Sequence, residues 1–272
     1  PTLTELEYMK RHAGMSKYNL AFRRRGLNTE FVGDTRLFSC KYPSDSYDGW
    51  LGTTNPVMPA EVLKPWLAKA KADPELSHWG CHEFEGPMPG RQYLITADPA
   101  GFGSTGDKSA LTVWDAVDWR EVAFWEDREA PDRFAQRLKT IQLRYNQALL
   151  AVESNATACI AILKDQGTRN LLWTDRNHPG WYATQKRVQE SEARLVQMLR
   201  QEDIIIQSRG TLHQLLNYDG SKKKRVRGED GILHHFDRAR TAVMAADILS
   251  KRTFHTPAQE PDSTYTAGQV TV

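Results

Sequence analysis

The chain has 272 residues, of which 40% are hydrophobic and 26% are charged, and its formal net charge is +2. This composition is ordinary for a globular protein with a sizeable core, and the small net charge excludes a uniformly basic surface, so any nucleic-acid interface must be local. The three cysteines lack CxxC spacing, which argues against a disulfide framework. Because no apolar run approaches the ~18 residues of a membrane span and no signal segment opens the chain, we expect no membrane partner.

The first 90 residues alternate between helical and turn-rich stretches. Apolar residues over 1–25 predict one or two short helices, whereas the glycines, prolines and asparagines of 28–59 predict an irregular arm. A helix is predicted over 59–72, and the sequence Gly-Pro-Met-Pro-Gly at 86–90 marks the best domain boundary. The predicted organisation is an N-terminal segment over 1–90, a second domain over 91–254 and a disordered tail over 255–272.

A possible metal motif precedes this boundary. His78, Cys81 and His82 fall within five residues, and the two histidines would share a helical face. No fourth ligand follows at the spacing of a structural zinc site. We therefore interpret the stretch as a loop before the boundary, with zinc binding as the less favoured alternative.

Two neighbouring strands joined by a glycine-rich loop open the second domain. The aromatic and β-branched run from Tyr93 ends at Asp98, where a proline and three glycines cannot extend a central ladder. A second β-rich run covers 110–114, and an alternating run over 119–124 predicts a third strand, which gives an antiparallel meander. Asp98 is therefore predicted at the carboxyl end of a buried strand, with Asp107 in the loop beside it.

The rest of the second domain alternates between helices and short apolar runs. The sequence predicts helices over 131–145, from 155 or 157 to 164, and over 191–200, 211–216 and 234–249. It also predicts strands over 149–153, 170–173 and 204–206, and a basic β-hairpin over 221–231. Three antiparallel strands followed by alternating helices and strands predict an α/β fold, in which a mixed sheet is flanked by helices.

Carboxylates end the first and fourth predicted strands and begin the last long helix. They are Asp98, Glu153 and Asp237. Each also has a structural explanation, since Asp98 suits a turn and Asp237 suits the positive end of a helix dipole. Strand ends and a helix start can converge, and converging carboxylates repel one another unless cations neutralise them. Oxygen ligands suit Mg²⁺ or Mn²⁺, and two such ions about 4 Å apart clamp the attacking and leaving oxygens in phosphodiester cleavage.

Three motifs carry a resemblance to a known family: Asp98-Pro-Ala-Gly-x-Gly-x-x-Gly-Asp107-x-Ser-Ala, Val152-Glu153-Ser-Asn155 and His235-x-Asp237-Arg-x-x-x-Ala. In this order and spacing, over 91–252, they resemble the nuclease domain of the large terminase subunit of tailed bacteriophages. The resemblance implies an RNase H-like fold, similar also to RuvC-type nucleases. It further implies an endonuclease that cuts concatemeric double-stranded DNA during genome packaging with two divalent metal ions.

The resemblance also implies roles for individual residues. Asp98, Glu153 and Asp237 would be the catalytic, metal-binding acids, and Asp107 an accessory metal ligand. Lys186 and Arg187 lie where DNA contacts are expected. Thr184 and His235 are accessory candidates, of which the histidine is alternatively a simple polar cap.

The densest basic patch of the sequence lies in the predicted hairpin. It consists of Lys222, Lys223, Lys224, Arg225 and Arg227. If five phosphates were neutralised there, affinity would fall with salt at a log-log slope of about −4.5, independent of base sequence. The patch therefore predicts DNA backbone binding, with a solvated hairpin tip as the alternative.

The implied partners are double-stranded DNA, a packaging ATPase domain of the same polypeptide, the portal and the small terminase subunit, in the host cytoplasm. Residues 1–90 resemble, more weakly, the end of that ATPase region and its linker. The stretch 101–109 would match a phosphate-binding loop if Asp107 were deleted. Because Asp107 shifts Lys108 by one position from where the motif needs a lysine, we expect no nucleotide to bind there. Two rival functions remain: a junction resolvase or transposase of the same fold, and a non-catalytic DNA-binding or portal-docking module.

Overall fold

The computed structural model describes residues 3–11, 15–29, 38, 41–42, 57–100, 108–175, 178–218, 225–227 and 233–254. Its helices are α1 (Leu3–Arg11), α2 (Lys17–Thr29), α3 (Ala60–Lys69), α4 (Pro131–Arg144), α5 (Thr157–Asp165), α6 (Gln185–Gln201), α7 (Arg209–Asn217) and α8 (Asp237–Leu249). Its strands are β1 (His82–Glu83), β2 (Tyr93–Asp98), β3 (Ser109–Asp115), β4 (Arg120–Asp127), β5 (Leu149–Val152), β6 (Trp173–Asp175), β7 (His178–Pro179), β8 (Arg225–Arg227) and β9 (Leu233–His235).

A five-stranded mixed sheet in the order β1-β4-β3-β2-β5 forms the centre of the fold. Strands β2, β3 and β4 form the predicted antiparallel meander, and β5 pairs in parallel with β2. Every residue of β2 and β3 is buried, because these strands are covered on both faces. The predicted α/β fold with a mixed sheet flanked by helices is confirmed.

Alternating side chains divide the core between the two faces of the sheet. On one face, Ile95, Val113 and Leu150 pack with apolar residues of α4 and α5. On the other, Leu94 and Trp114 pack with α3, α6, α7 and α8. Each fully buried side chain of this size contributes about 1.5–3 kcal/mol. The last helix, α8, lies directly on β2 and β3, and every residue of it except Arg240 is buried.

Some predicted boundaries differ from the observed ones. The predicted strand 204–206 makes only one isolated bridge, from Ile205 to Arg120, because the chain turns at once into α7, which Ser208 caps. Helix α6 begins at Gln185, earlier than predicted, because the hydroxyl of Thr184 accepts a hydrogen bond from the backbone N–H of Arg187. Among the described helices, none is long and apolar enough to span a membrane.

Residues from 57 onwards pack against the second predicted domain. Met58, Leu63 and Trp66 belong to the same core as α8, and the indole N–H of Trp66 donates to the carbonyl oxygen of Leu199 at 3.0 Å. Strand β1 adds to the edge of the main sheet by pairing with β4. The division of the chain at residue 90 stays a prediction, and the predicted tail lies outside the described residues.

Candidate active site

Asp98 and Glu153 lie side by side at one end of the sheet. Asp98 is the last residue of β2, and Ala97 pairs with Val152, so Glu153 directly follows the paired residue of β5. The backbone N–H of Glu153 donates to the carbonyl oxygen of Ala97 at 2.9 Å, which fixes this register. Asp98 is 1% exposed and Glu153 2% exposed. The parallel pairing of β2 and β5 therefore brings the two predicted acids together.

Both carboxylates project from the face that α8 covers. Side chains alternate along a strand, so Asp98 shares its face with Thr96, whose cross-strand partner is Thr112. The hydroxyl oxygens of Thr112 and Thr241 lie 2.7 Å apart, which places α8 on that face. Asp237 is the first residue of the same helix and is also buried. The third predicted acid thus begins the helix that covers the other two.

One oxygen atom of each acid is both buried and without a hydrogen bond from any described residue, although each acid makes other interactions. These atoms are Oδ2 of Asp98, Oε2 of Glu153 and Oδ2 of Asp237. Buried carboxylate oxygens of this kind are ligands that Mg²⁺ and Mn²⁺ favour. Across the described ranges, no three His, Cys, Asp or Glu side chains stand close enough to hold a metal ion as they are. The carboxylate oxygens are of the type that a hard divalent cation prefers, but in this arrangement they do not surround a position for one.

Arg240 lies beside Glu153, one turn after Asp237 on α8. Its Nη2 atom donates to Oε1 of Glu153 at 3.2 Å, and its guanidinium carbon is 5.0 Å from the ring centre of Trp181. Burial alone would lower the pKa of Arg240, but the negative charges of Glu153 and Asp98, together with Tyr218, raise that pKa overall. The guanidinium is therefore a permanent positive charge within the acidic group.

The segment Gly180-Trp181 supports Glu153 from the side. The backbone N–H of Trp181 donates to the carbonyl oxygen of Val152 at 2.7 Å, and the N–H of Ser154 returns a bond to Trp181 at 3.0 Å. Gly180 has a φ of +86°, and a Cβ atom there would collide with the carbonyl oxygen of Val152. Only glycine allows the chain to approach the end of β5 so closely.

A second ionic group lies next to the acids, on the other side of Trp181. The indole N–H of Trp181 and Nε of Arg187 both donate to Oδ2 of Asp247 at 2.8 Å, and Lys251 also pairs with Asp247. Burial alone would raise the pKa of Asp247, but the hydrogen bonds from Lys251, Trp181 and Arg187 lower it overall. Arg187, predicted to contact DNA, is thus engaged in holding α8 against α6.

Two other predicted residues have clear places. Thr184 caps α6 and does not reach the acids in any contact that the structure gives, so its observed role is structural. Lys186 is 87% exposed at the side chain and lies 3.9 Å from Glu190. It is therefore available to a partner at the surface.

The remaining predicted site residues are described only in part. Asp107, Lys222, Lys223 and Lys224 lie outside the described residues. For Arg225, Arg227 and His235 the backbone is described: β8 and β9 pair antiparallel, with Arg225 opposite His235. A hairpin is present as predicted, but its second strand covers Leu233–His235, so residues 234 and 235 belong to a strand and not to the last helix. Their proposed roles stay predictions.

The His78–Cys81–His82 motif has a structural explanation. His82 lies in β1, where Nδ1 donates to the carbonyl oxygen of Pro74 at 2.6 Å and the ring stacks on Phe124. Burial raises the pKa of the Cys81 thiol to about 12, which disfavours the thiolate that zinc needs. Both residues are thus used in packing the edge of the sheet.

The sequence did not lead us to predict one further acid at this end of the sheet. Glu126 is the cross-strand neighbour of Ala110, which in turn faces Asp98, so Glu126 lies in the same row and on the same face. Gln214 donates to Oε1 of Glu126 at 2.9 Å and accepts from the backbone N–H of Arg238 at 2.9 Å. The alternation of β4 continues past residue 124, and that pattern was the available signal.

Structural comparison places this geometry among known folds. The chain superposes on the large terminase nuclease from thermophilic phage G20c with bound magnesium, with a TM-score of 0.51 and 16% identity, over 72% of this chain and 98% of that chain. The form of that nuclease with bound cobalt gives a TM-score of 0.51 and 15% identity over the same shares. The chain has the fold of a large terminase nuclease domain.

The Thermus phage P74-26 large terminase nuclease domain is also similar, with a TM-score of 0.46 and 18% identity, over 68% of this chain and 93% of that chain. Comparisons of the sequence with protein-family models and with curated proteins find no match. The likeness to the two G20c structures, together with the observed mixed sheet, confirms the predicted RNase H-like fold.

Proposed function

We propose that this chain is a metal-dependent DNA endonuclease that cuts concatemeric double-stranded phage DNA during genome packaging in the host cytoplasm. The observation that carries the proposal is the gathering of Asp98, Glu153 and Asp237 on one face at one end of a sheet with the terminase nuclease fold. Isolated buried carboxylates are unfavourable, so a fold that collects them needs a reason.

The three acids would hold two divalent ions, Mg²⁺ or Mn²⁺, with Asp107 as an accessory ligand. When bound, such ions supply a nucleophilic water near neutral pH and stabilise charge on the reacting phosphate. The solved nuclease of phage G20c binds magnesium and cobalt, which supports a divalent ion here. The protein's own contribution is to fix Asp98 and Glu153 side by side on paired strands.

DNA would lie across the open edge beside these acids. Lys186 and the basic residues of 222–227, namely Lys222, Lys223, Lys224, Arg225 and Arg227, would contact the phosphate backbone. In a packaging motor the chain would act with an ATPase domain, the portal and the small terminase subunit. Backbone contacts of this type give weak base preference and strong salt dependence.

The test is cleavage of supercoiled plasmid with Mg²⁺, Mn²⁺ or chelator, by wild type, Asp98→Asn and Asp115→Asn. Asp115 is a matched control, because it is also a buried aspartate at a strand end but lies at the opposite end of the sheet and pairs with Arg91. Cutting that needs metal, is lost in Asp98→Asn and persists in Asp115→Asn supports the proposal.

Two results would contradict it. Equal cutting by Asp98→Asn and wild type would refute the assigned site. Binding of DNA without cutting under any metal, lost when the hairpin charges are removed, would favour a non-catalytic module. A panel with branched DNA separates a junction resolvase, which would prefer the four-way junction to the linear duplex.

A further inference from the structure

Arg240 differs from every other residue of its helix. All other residues of α8 are buried, whereas the Arg240 side chain remains 15% exposed. Its partner Glu153 has a side chain only 3% exposed. The partly exposed guanidinium thus pairs with a buried carboxylate that a metal ion would need.

Two side chains hold Arg240. Its Nη2 atom donates to Oε1 of Glu153 at 3.2 Å, and a side-chain hydrogen bond also joins it to Tyr218, whereas its buried Nε atom has no hydrogen-bond partner among the described residues. A second group of an arginine, a glutamate and a tryptophan lies on the opposite face of the sheet, and its arginine makes two hydrogen bonds to its glutamate. There Arg144 donates to both oxygens of Glu83, at 2.6 and 3.0 Å, and lies 4.6 Å from the ring centre of Trp79. A bidentate arginine–carboxylate pair of this kind is stronger than a pair joined by one hydrogen bond.

Arg240 lies close enough to Glu153 and Asp98 for both carboxylates to raise its pKa. Carboxylates that share a site repel one another when they are ionised, and the guanidinium would offset part of that repulsion. A divalent ion that binds Glu153 must share or displace the same positive charge. The guanidinium and the metal therefore compete for one oxygen-rich position.

We propose that Arg240 is a built-in cation that competes with a divalent ion at Glu153, so that two ions bind to the centre with unequal affinity. This inference rests on the proposed metal-dependent nuclease function. An ion that does not contact Glu153 would bind first, because it leaves the guanidinium in place. The ion at Glu153 binds more weakly, because it must displace the guanidinium.

The experiment is titration of the full chain with Mn²⁺, followed by calorimetry and by the electron paramagnetic resonance signal of free Mn²⁺. It uses wild type, Arg240→Gln, Arg240→Lys and, as the matched control, Arg144→Gln. In Arg240→Gln the weaker step is expected to tighten by about tenfold or more, since a competing charge is gone. Arg240→Lys, which keeps a cation, should gain less, and Arg144→Gln should bind like wild type.

Equal or weaker Mn²⁺ binding by Arg240→Gln would overturn the inference while leaving the metal site itself intact. Absence of Mn²⁺ binding in wild type and all variants would overturn both the inference and the metal-dependent function. If Arg240→Gln does not fold, Arg240→Lys decides, because its more strongly hydrated ammonium holds Glu153 less well and must still tighten the weaker step. A gain of similar size in Arg144→Gln would show a general charge effect and would contradict competition at Glu153.

Discussion

Glu121 and the three acids Asp98, Glu153 and Asp237 are buried on the same side of the sheet, but they differ in how their carboxylate oxygens are hydrogen-bonded. Glu121 is fully buried, and both of its oxygens are satisfied: Oε2 accepts from the backbone N–H groups of Gln207 and Ser208 at 2.9 Å, and Oε1 accepts from the Thr211 hydroxyl at 3.0 Å. Asp98, Glu153 and Asp237 are equally buried, yet each keeps an oxygen that accepts no hydrogen bond from a described residue.

The difference separates a structural carboxylate from a functional one. Burial raises the pKa of Glu121, while the charge of Arg238 and the hydrogen bonds at the start of α7 oppose that rise. Those partners all belong to the fold, so Glu121 needs nothing from outside. At Asp98, Glu153 and Asp237 one carboxylate oxygen each accepts no hydrogen bond from a described residue, although each acid makes other interactions. Burial alone therefore does not distinguish the two kinds of carboxylate, whereas the hydrogen bonding of each oxygen does.

The largest effect is expected from Asp237→Asn. Cleavage of plasmid DNA should fall by about a thousandfold or more, because an amide replaces a charged metal ligand. The free energy of unfolding should change by only about 1 kcal/mol, since Asn is a comparably good residue at a helix start. Retained cleavage would remove Asp237 from the functional group.

Glu121→Gln should show the reverse pattern. An amide cannot accept from all three donors, and Arg238 loses a buried counter-charge, so the free energy of unfolding should fall by about 3 kcal/mol in urea titrations. The cleavage rate per folded molecule should stay within about threefold of wild type. A strong loss of cleavage by Glu121→Gln without a loss of stability would place Glu121 in the candidate active site and would contradict its contrast with the three acids.

Gly180→Ala tests the support of Glu153. Its positive φ and the overlap with the carbonyl oxygen of Val152 should cost about 2 kcal/mol in stability and shift the end of β5. Gly167→Ala is the matched control, because it also has a positive φ but has nothing within 4 Å of the added carbon. Gly180→Ala should reduce cleavage measured below its unfolding transition, and Gly167→Ala should not.

The smallest effect concerns Asp247 and is visible in pH dependence. The folded-state pKa of Asp247 is lowered from 3.8, so its stabilising contribution is present above that pH and is lost as the pH falls through the folded pKa. Asp247→Asn should therefore be less stable than wild type by about 1–2 kcal/mol at pH 7, and the gap should narrow in acid. A gap that stays constant from pH 7 to about pH 2 would show that packing, not charge, accounts for it.

The strands and the helix that carry the acids could be predicted from the sequence, whereas the side chains that surround the acids could not. Asp98 and Glu153 could be placed because each ends a short apolar run, and strand ends follow from turn residues. Arg240 could not be placed, because helical spacing alone does not say which side of α8 meets β5. Glu121 was also missed, since a charged residue within an alternating strand is usually solvent-exposed and here is buried by α7.

The most direct test of this account is Mn²⁺ binding by wild type, Asp98→Asn and Glu121→Gln, measured from the electron paramagnetic resonance signal of free Mn²⁺. The account predicts that wild type and Glu121→Gln bind alike, and that Asp98→Asn loses at least one ion or about tenfold in affinity. Equal binding by Asp98→Asn and wild type, or loss of binding in a folded Glu121→Gln, would contradict the division between the two groups of carboxylates.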